Sequence, residues 1–278
     1  MKYIDLHIHS SFSDGTEKPA AIVTTMKELG FSAISITDHD TVDAQAESVI
    51  VAQKMGIEYV PGVEFSTSYK DVRFHILGYF IDYKDQRLEN LSERLIEERN
   101  KRAFKMMEKL RSFGIILELE DILAKVTNYN IGRLHFAKAM VEQGYTKSVK
   151  EAFDNFLGYG KPCYVPKWTP SPKEIIELIH SIGGVAVLAH PGIIGEDRYI
   201  PHLIECGLDG IEAYYPEHTE KQTEHYRALG EKHGLVITGG SDSHGRVESK
   251  PFLGQYKYPY KILDELKERA FSRKRSNA

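Results

Sequence analysis

Short apolar strands that alternate with amphipathic helices are the feature that most constrains the fold of this chain. The segments from Phe31 to Thr37 and from Val185 to Ala189 are mostly apolar, which is typical of strands buried on both faces. Pro19 and Gly30 mark the start and the stop of a helical pattern before the first of these segments. Because a helix between two strands returns the chain to the same edge of the sheet, this alternation predicts an α/β fold with parallel strands.

The middle of the chain departs from this alternation, because only helical patterns occur from about Leu88 to about Gly160. The predicted helices are Leu88 to Phe113, Leu119 to Val126, Gly132 to Gly144 and Val149 to Leu157. Continuous helix inside a series of strands and helices suggests an inserted lid. We therefore expect an α/β domain formed by residues 1–87 and 161–278, with an all-helical insertion at residues 88–160.

Residues that can bind metal ions lie at the carboxyl ends of the predicted strands. They are His7, His9, Asp14, His39, Glu64, His75, His190, Asp242 and His244. A lone histidine at such a place would be ordinary, but His7-x-His9 followed by Asp14 and by further residues of these types favours a metal site. The carboxyl ends of barrel strands converge on one face, where loops form the active site. So many nitrogen and oxygen ligands suit two or three divalent ions, with Glu64 bridging two of them.

Composition argues against several other classes of protein. A net charge of -4 and a pI near 6.3 do not suit a surface that grips long duplex nucleic acid. Cys163 and Cys206 are far apart and lack the spacing of a disulfide framework, which indicates a reducing compartment. We find no secretory leader and no apolar run of membrane-spanning length. We therefore expect a cytoplasmic protein that does not bind membranes.

Several segments carry the strand-end residues in a specific combination. They are His7-x-His9 with Asp14, Thr37-Asp38-His39-Asp40, Pro61-Gly62-Val63-Glu64, His75, Ala189-His190-Pro191 and Gly240-Ser241-Asp242-Ser243-His244. Together they resemble the PHP (polymerase and histidinol phosphatase) phosphoesterases, and no ligand position departs from the family pattern. The resemblance implies a distorted (β/α)7 barrel, similar to a TIM barrel, with a trinuclear site.

The resemblance also implies how the ligands are shared among the ions. One ion would be held by His7, His9, Glu64 and Asp242, a second by Glu64, His75 and His190, and a third by Asp14, His39 and His244. Mn, Zn or Fe would suit such a mixed nitrogen and oxygen site. Asp5, Asp38 and Asp40 are expected to support these ligands, since metal-binding histidines usually need an outer hydrogen-bond acceptor.

Hydrolysis of a phosphate ester is the predicted reaction. Clustered divalent ions lower the pKa of a bound water, hold phosphate oxygens and neutralise charge during in-line displacement at phosphorus. The predicted nucleophile is a water held by the ions of His7, His9, Glu64, Asp242 and His190. Sites with several histidines also suit amide hydrolysis or deamination, so the reaction class depends on the resemblance.

Cationic residues of the predicted insertion are candidates for phosphate binding. On a helical projection Arg99 falls within the apolar face of the long helix and Arg102 at its edge. Both side chains could simply reach solvent, and we weigh this alternative equally with anion binding. Arg133 and His135 stand at a helix start, where backbone N–H groups and a guanidinium can receive phosphate together. The alternative is an ordinary helix start with a satisfied His135.

The substrate expected from these cations is a nucleotide with more than one phosphate. Lys161 and Tyr164 are further candidates for phosphate and base contacts. Resemblance to the stand-alone nucleotide-phosphatase branch, which has a similar Gly-Arg-x-His element, implies 3′,5′-bisphosphonucleosides such as pAp, or short RNA trimmed from its 5′ end. The alternatives are a histidinol-phosphate phosphatase, a non-catalytic PHP scaffold and a nucleotide-binding module. Arg273-Lys274-Arg275 is interpreted as a solvated terminus.

Overall fold

The computed structural model describes residues 2–124, 131–246 and 251–276. The chain divides into two compact units, the first formed by Met1–Leu88 with Pro170–Ala278 and the second by Glu89–Thr169. The second unit therefore extends to Thr169, whereas the sequence placed its end at residue 160. Packing explains the difference, because Cys163 and Val165 belong to the apolar core of this unit and Arg94 stacks on Trp168.

Strands and helices occur in the following order. The strands are β1 (Tyr3–Ile8), β2 (Ala33–Ile36), β3 (Glu58–Tyr59), β4 (Gly62–Tyr69), β5 (Val72–Tyr79), β6 (Val185–Leu188), β7 (Gly210–Tyr214), β8 (Val236–Gly239) and β9 (Tyr258–Pro259). The helices are α1 (Pro19–Glu28), α2 (Gln45–Met55), α3 (Gln86–Ser112), α4 (Leu119–Leu123), α5 (Arg133–Glu142), α6 (Val149–Ala152), α7 (Pro172–Ser181), α8 (Pro191–Ile194), α9 (Ile200–Glu205), α10 (Glu220–His233) and α11 (Lys261–Ser276). A π-helical turn, Phe153–Leu157, follows α6, and a 3-10 turn, Asp197–Tyr199, precedes α9.

The strands of the first unit form two sheets, in the orders β3-β2-β1-β9 and β4-β5-β6-β7-β8. Two parallel bridges join the sheets: Ile8 of β1 pairs with Ser243, which follows β8, and His39, which follows β2, pairs with Glu64 of β4. As a result β1, β2 and β4 to β8 follow one another around a distorted barrel. The barrel class and the helical insertion agree with the fold expected from the sequence.

The expectation of parallel strands throughout is wrong for one part of the barrel. Strands β4 and β5 form an antiparallel hairpin, and β5 also runs antiparallel to β6. Lys70 and Asp71 make the turn with φ of 48° and 64°. A two-residue turn can join only antiparallel strands, and the left-handed conformation at both positions matches the twist of a hairpin.

Apolar residues fill the barrel and the space between its strands and the outer helices. Leu6, Leu77 and Val187 lie in the interior cluster, all fully buried. Met26 of α1 and Ile34 of β2 belong to a second cluster that fixes the first helices against the sheet. This packing holds the strands rigidly, so the residues at their carboxyl ends have defined positions.

The second unit is helical, with a core of its own. Met106 and Leu110 of α3 pack with Phe136 and Met140 of α5 and with Leu157. The end of the helix predicted to reach Val126 lies outside the described residues. In the described part of the chain, no helix is both long enough and apolar enough to cross a lipid bilayer.

Candidate metal centre

All nine strand-end residues singled out in the sequence lie in the first unit and form one continuous cluster. Three overlapping groups have ligand atoms within 4.8 Å of one another. They are His7, His9, Glu64 and Asp242; His9, Asp14, His39 and His244; and His39, Glu64 and His75. His190 joins the cluster through its Nε2 atom, which lies 2.9 Å from Oε1 of Glu64.

The first group is completely enclosed by the barrel. Nε2 of His9 lies 3.0 Å from Oδ1 of Asp242 and 3.2 Å from Oε2 of Glu64. Nε2 of His7 lies 3.3 Å from the same Glu64 oxygen. His7 and His9 reach the same place because alternate residues of a strand share one face. Asp242 is brought there by its N–H, which donates to the carbonyl oxygen of His7 at 2.8 Å.

Glu64 stands at the centre of the cluster. Its Oε1 atom lies 2.9 Å from Nδ1 of His75 and from Nε2 of His190, while Oε2 lies 3.0 Å from Nδ1 of His39. The bridge between β2 and β4 places it there, since the N–H of Asp40 donates to the Glu64 carbonyl at 2.9 Å. Each carboxylate oxygen thus faces a different set of imidazoles, which is the arrangement needed for a residue that bridges two ions.

The group formed by His9, Asp14, His39 and His244 is the most open to solvent. Oδ1 of Asp14 lies 3.2 Å from Nε2 of His244, and Oδ2 lies 3.7 Å from Nε2 of His39. The Asp14 side chain is 54% exposed, whereas those of His9 and Glu64 are fully buried. This edge of the cluster is therefore the side on which a substrate can approach.

The residues present fit divalent metal ions. Oε2 of Glu64 is buried and accepts no hydrogen bond from any described residue, although imidazole nitrogens surround it. Burial alone would raise the pKa of Glu64, but the charges of His39, His75 and His7 hold it well below its usual range. An ionised, buried carboxylate oxygen among imidazoles is a donor set for Zn, Mn or Fe, and the geometry does not select one of them.

Two of the candidate ligands have strained backbones. Asp242 has a φ of 52° and His190 a φ of 29°, in the region that non-glycine residues rarely adopt. Such conformations persist only where surrounding contacts impose them, and they concentrate at functional sites. The strain is therefore consistent with side chains aimed at bound ions.

The aspartates expected to accept from histidine rings instead bind backbone N–H groups and hydroxyls of the segments that carry the candidate ligands. Asp38 accepts hydrogen bonds from the N–H of Ser10 at 2.7 Å and from Oγ of Ser13 at 2.7 Å, which fixes the turn that leads to Asp14. Asp5 accepts from the N–H of Ser241 at 2.9 Å, and burial raises its pKa to about 6. Asp40 holds strand β4 in the same way, by accepting from the Ser66 N–H at 2.8 Å.

Strand β7 and the residue that follows it contribute two side chains that sequence reasoning missed. Glu212 is fully buried and lies 3.0 Å from Nδ1 of His7, and its second oxygen accepts the N–H of His190 at 2.9 Å. The hydroxyl of Tyr215 donates to Oδ2 of Asp242 at 2.9 Å. A carboxylate flanked by Ile211 and Ala213 in a buried strand was the available signal, because such a charge requires partners.

The predicted substrate-binding residues all lie in the second unit. The Arg102 guanidinium donates to the Val165 carbonyl at 2.8 Å, Arg99 is partly buried and Lys161 is exposed. Arg133 stacks on the rings of Tyr164 and Phe153 and donates to the Leu157 carbonyl at 3.2 Å.

His135 lies in the first turn of α5, where its side chain caps the start of its own helix. Its Nδ1 accepts the N–H of Gly132 at 2.9 Å, and desolvation lowers its pKa, with a further contribution from Lys138. This geometry corresponds to the alternative considered from the sequence, a satisfied His135. The N–H of Gly132 is therefore already used, and phosphate at this helix start would depend on Arg133 and the remaining N–H groups.

Comparison with known proteins shows which family the chain belongs to. The chain is 33% identical to the 5′-3′ exoribonuclease Rnm of Escherichia coli over 86% of this chain and 84% of the relative. It is 32% identical to a 3′,5′-nucleoside bisphosphate phosphatase of Chromobacterium violaceum over 91% of each protein. Among solved structures, a candidate metal-dependent phosphoesterase from Bifidobacterium adolescentis matches with a TM-score of 0.77 and 29% identity over 96% of each chain.

The family assignment rests on nearly the whole chain. The PHP domain matches residues 5–268, a range that includes every member of the ligand cluster. The chain therefore belongs to the PHP domain family and is a metal-dependent hydrolase of phosphate esters.

Proposed function

We propose that the chain hydrolyses phosphate from 3′,5′-bisphosphonucleosides such as pAp and also acts on the 5′ ends of short RNA. The observation that carries the proposal is the buried cluster centred on Glu64, whose two oxygens face separate groups of imidazoles. The two relatives described above, which bear these two activities in their names, support the choice of substrate.

The protein residues would prepare the reaction by binding and orientation. Divalent ions held by the cluster would supply Lewis acidity, which makes a water more acidic and offsets the charge on phosphate oxygens. Asp14 and His244, at the open edge, stand where the reacting phosphate would enter. His9 and Asp242, deeper in the barrel, are shielded from bulk water, which strengthens every charge interaction there.

We assign recognition of the rest of the nucleotide to cations of the second unit. Arg133 is the strongest candidate, since a guanidinium carries five N–H donors and a single hydrogen bond, to Leu157, is found for it among the described residues. Its Cζ atom lies 5.3 Å from the centre of the Tyr164 ring, a cation–π contact that would help to position the guanidinium for a phosphate. Arg99, Arg102, His135 and Lys161 complete the proposed set.

Phosphate release from four substrates, measured side by side with metal-loaded protein, tests the proposal. The substrates are pAp, AMP, histidinol phosphate and a short 5′-phosphorylated RNA. We expect kcat/KM to be highest for pAp or the RNA. A preference for histidinol phosphate would keep the metal centre and reject the nucleotide assignment. Saturable pAp binding without turnover would reject pAp as a substrate.

A further inference from the structure

We propose that Glu212 is a positioning residue that aligns ligands of two different ion positions at once. It contacts His7, which belongs to the group with His9 and Asp242, and it contacts His190, which faces the other oxygen of Glu64. Glu212 does not belong to any of the three ligand groups. The inference rests on the metal dependence of the proposed function and holds for either nucleotide substrate.

The first contact sets the tautomer of His7. A carboxylate can only accept hydrogen bonds, so Oε1 of Glu212, 3.0 Å from Nδ1 of His7, requires the proton to be on Nδ1. The lone pair of the imidazole is then on Nε2. This is the atom that lies 3.3 Å from Glu64 and 3.5 Å from Asp242. Glu212 therefore turns the metal-binding nitrogen of His7 toward the ligand group.

The second contact stabilises the strained backbone of His190. Strand β6 ends at Leu188, and the N–H of the following Ala189 still donates to the His75 carbonyl at 3.0 Å. At His190 the chain leaves the sheet with a φ of 29°, and its N–H donates to Oε2 of Glu212 at 2.9 Å. A buried N–H without a partner would destabilise the folded state. Glu212 therefore supports the conformation that directs the His190 ring toward Glu64.

Both oxygens of Glu212 are needed, which makes glutamine a stringent replacement. Glutamine has the same shape, so it leaves no cavity, but it has only one acceptor atom for two donors. Its amide NH₂ must face either the His190 N–H or Nδ1 of His7. In the first arrangement the amide NH₂ and the His190 N–H, both hydrogen-bond donors, would face each other. The second favours the tautomer in which Nε2 of His7 carries the proton and cannot bind an ion.

Metal affinity is the first measurement, made by equilibrium dialysis against Mn²⁺ with elemental analysis of the protein. We expect Glu212→Gln to bind Mn²⁺ about 10- to 100-fold more weakly, as is typical when an outer hydrogen-bond partner of a ligand is removed. The weakening should affect more than one ion per chain, since the two contacted histidines belong to different groups. Wild-type affinity and stoichiometry in the variant would overturn the proposal.

Asp209→Asn is the matched control. Asp209 is also a buried carboxylate that accepts from a histidine, His180, and from a backbone N–H, that of Ala186, both at 2.9 Å. It lies away from all nine ligands. We expect this variant to melt at a lower temperature and to bind Mn²⁺ as the wild type does. An equal loss of affinity in both variants would show a general loss of stability and refute a positioning role for Glu212.

The wild-type protein supplies a test that does not depend on the folding of a variant. In the Zn²⁺-loaded protein, the ¹⁵N chemical shifts of the His7 ring should show a proton on Nδ1 and none on Nε2. The opposite tautomer would overturn the proposal. None of these readouts uses a nucleotide, so a failure of the substrate assignment would leave them unchanged.

Discussion

Glu212 and Asp209 build nearly the same hydrogen-bonded unit at opposite ends of strand β6, with different consequences. Each is a buried carboxylate that accepts from an imidazole and from a backbone N–H. Glu212 joins His7 to the residue just past the end of β6, and Asp209 joins His180 to Ala186 near the start of β6. The local chemistry is shared, so it does not by itself distinguish a functional site from a structural one.

The difference lies in what else each unit contacts. Asp209 also accepts from Nε of Arg273 at 2.6 Å, so a cation of α11 neutralises it and ties the last helix to the barrel. Across from Glu212, the imidazole of His7 faces two more carboxylates, Glu64 and Asp242. One end of the strand therefore compensates its charge within the protein, while the other concentrates acceptors and imidazoles that an added cation would complete.

The largest expected effect is on metal content and activity at the Glu212 end of strand β6, which we call the functional end. His9→Ala removes a side chain shared by two of the ligand groups, so metal should be lost along with phosphatase activity. Loss of several kcal/mol of transition-state stabilisation corresponds to a fall in kcat/KM on the order of 10³-fold. Elemental analysis and phosphate release measure the two quantities. The matched control is His180→Ala at the structural end, and this variant should keep its metal content. Metal loss in both variants would erase the distinction between the two ends.

The next largest effect is on the free energy of unfolding at the Asp209 end of strand β6, which we call the structural end. Asp209→Asn weakens the hydrogen bonds to His180 and Arg273, and bonds to charged groups contribute about 1.5–3 kcal/mol. Because the Arg273 side chain is still 28% exposed, we expect the free energy of unfolding to fall by about 2 kcal/mol, near the lower limit of that range. Urea unfolding at neutral pH measures it. Asp264→Asn, on the exposed face of α11, is the control and should change stability by less than about 0.5 kcal/mol. Equal losses in the two variants would contradict a specific role for Asp209.

The functional end was far easier to predict from sequence than the contacts that support it. His190 and Glu64 follow apolar runs, and a strand-end position is a local property of the sequence. The partners of Glu212 are distant, since His7 is 205 positions away and His190 is 22 positions away. Such pairings depend on which strands become neighbours, which no periodicity reveals.

Two further predictions from the sequence were wrong for the same reason, because they also depend on contacts that local sequence patterns do not reveal. The β4–β5 turn at Lys70-Asp71 has neither Gly nor Asn, the residues that most readily take a positive φ, so the hairpin gave no local signal. Arg273 was interpreted as part of a solvated terminus, but it pairs with Asp209, which is 64 positions away. A basic residue near a chain end resembles a solvated tail until the fold brings a buried carboxylate to it.

A smaller effect, on the KM for pAp, is expected for a residue of the second unit. Arg133→Ala should raise KM for pAp roughly tenfold with little change in kcat, because a lost phosphate contact costs about 1.5 kcal/mol or more of binding. KM for AMP and the metal content should remain unchanged. Arg94→Ala is the matched control, since Arg94 also stacks on an aromatic ring of this unit, that of Trp168 at 4.2 Å. Unchanged pAp kinetics in Arg133→Ala would remove this residue from the substrate site while leaving the metal centre intact.

The smallest effect is a pH dependence that isolates the structural end. Burial alone would raise the pKa of Asp209, but the hydrogen bonds from His180, Ala186 and Arg273 lower it below the usual value of 3.8. A carboxyl with a lowered folded-state pKa stabilises the protein fully above its unfolded-state pKa, and this contribution is lost as the pH falls through the folded-state pKa. The stability gap between wild type and Asp209→Asn should therefore shrink as the pH falls below about 4. The acidic ligands titrate in both proteins, so taking the difference removes them. A gap that widened on acidification would mean that Asp209 is protonated more readily in the folded chain, and its pairing with Arg273 would then not account for its burial.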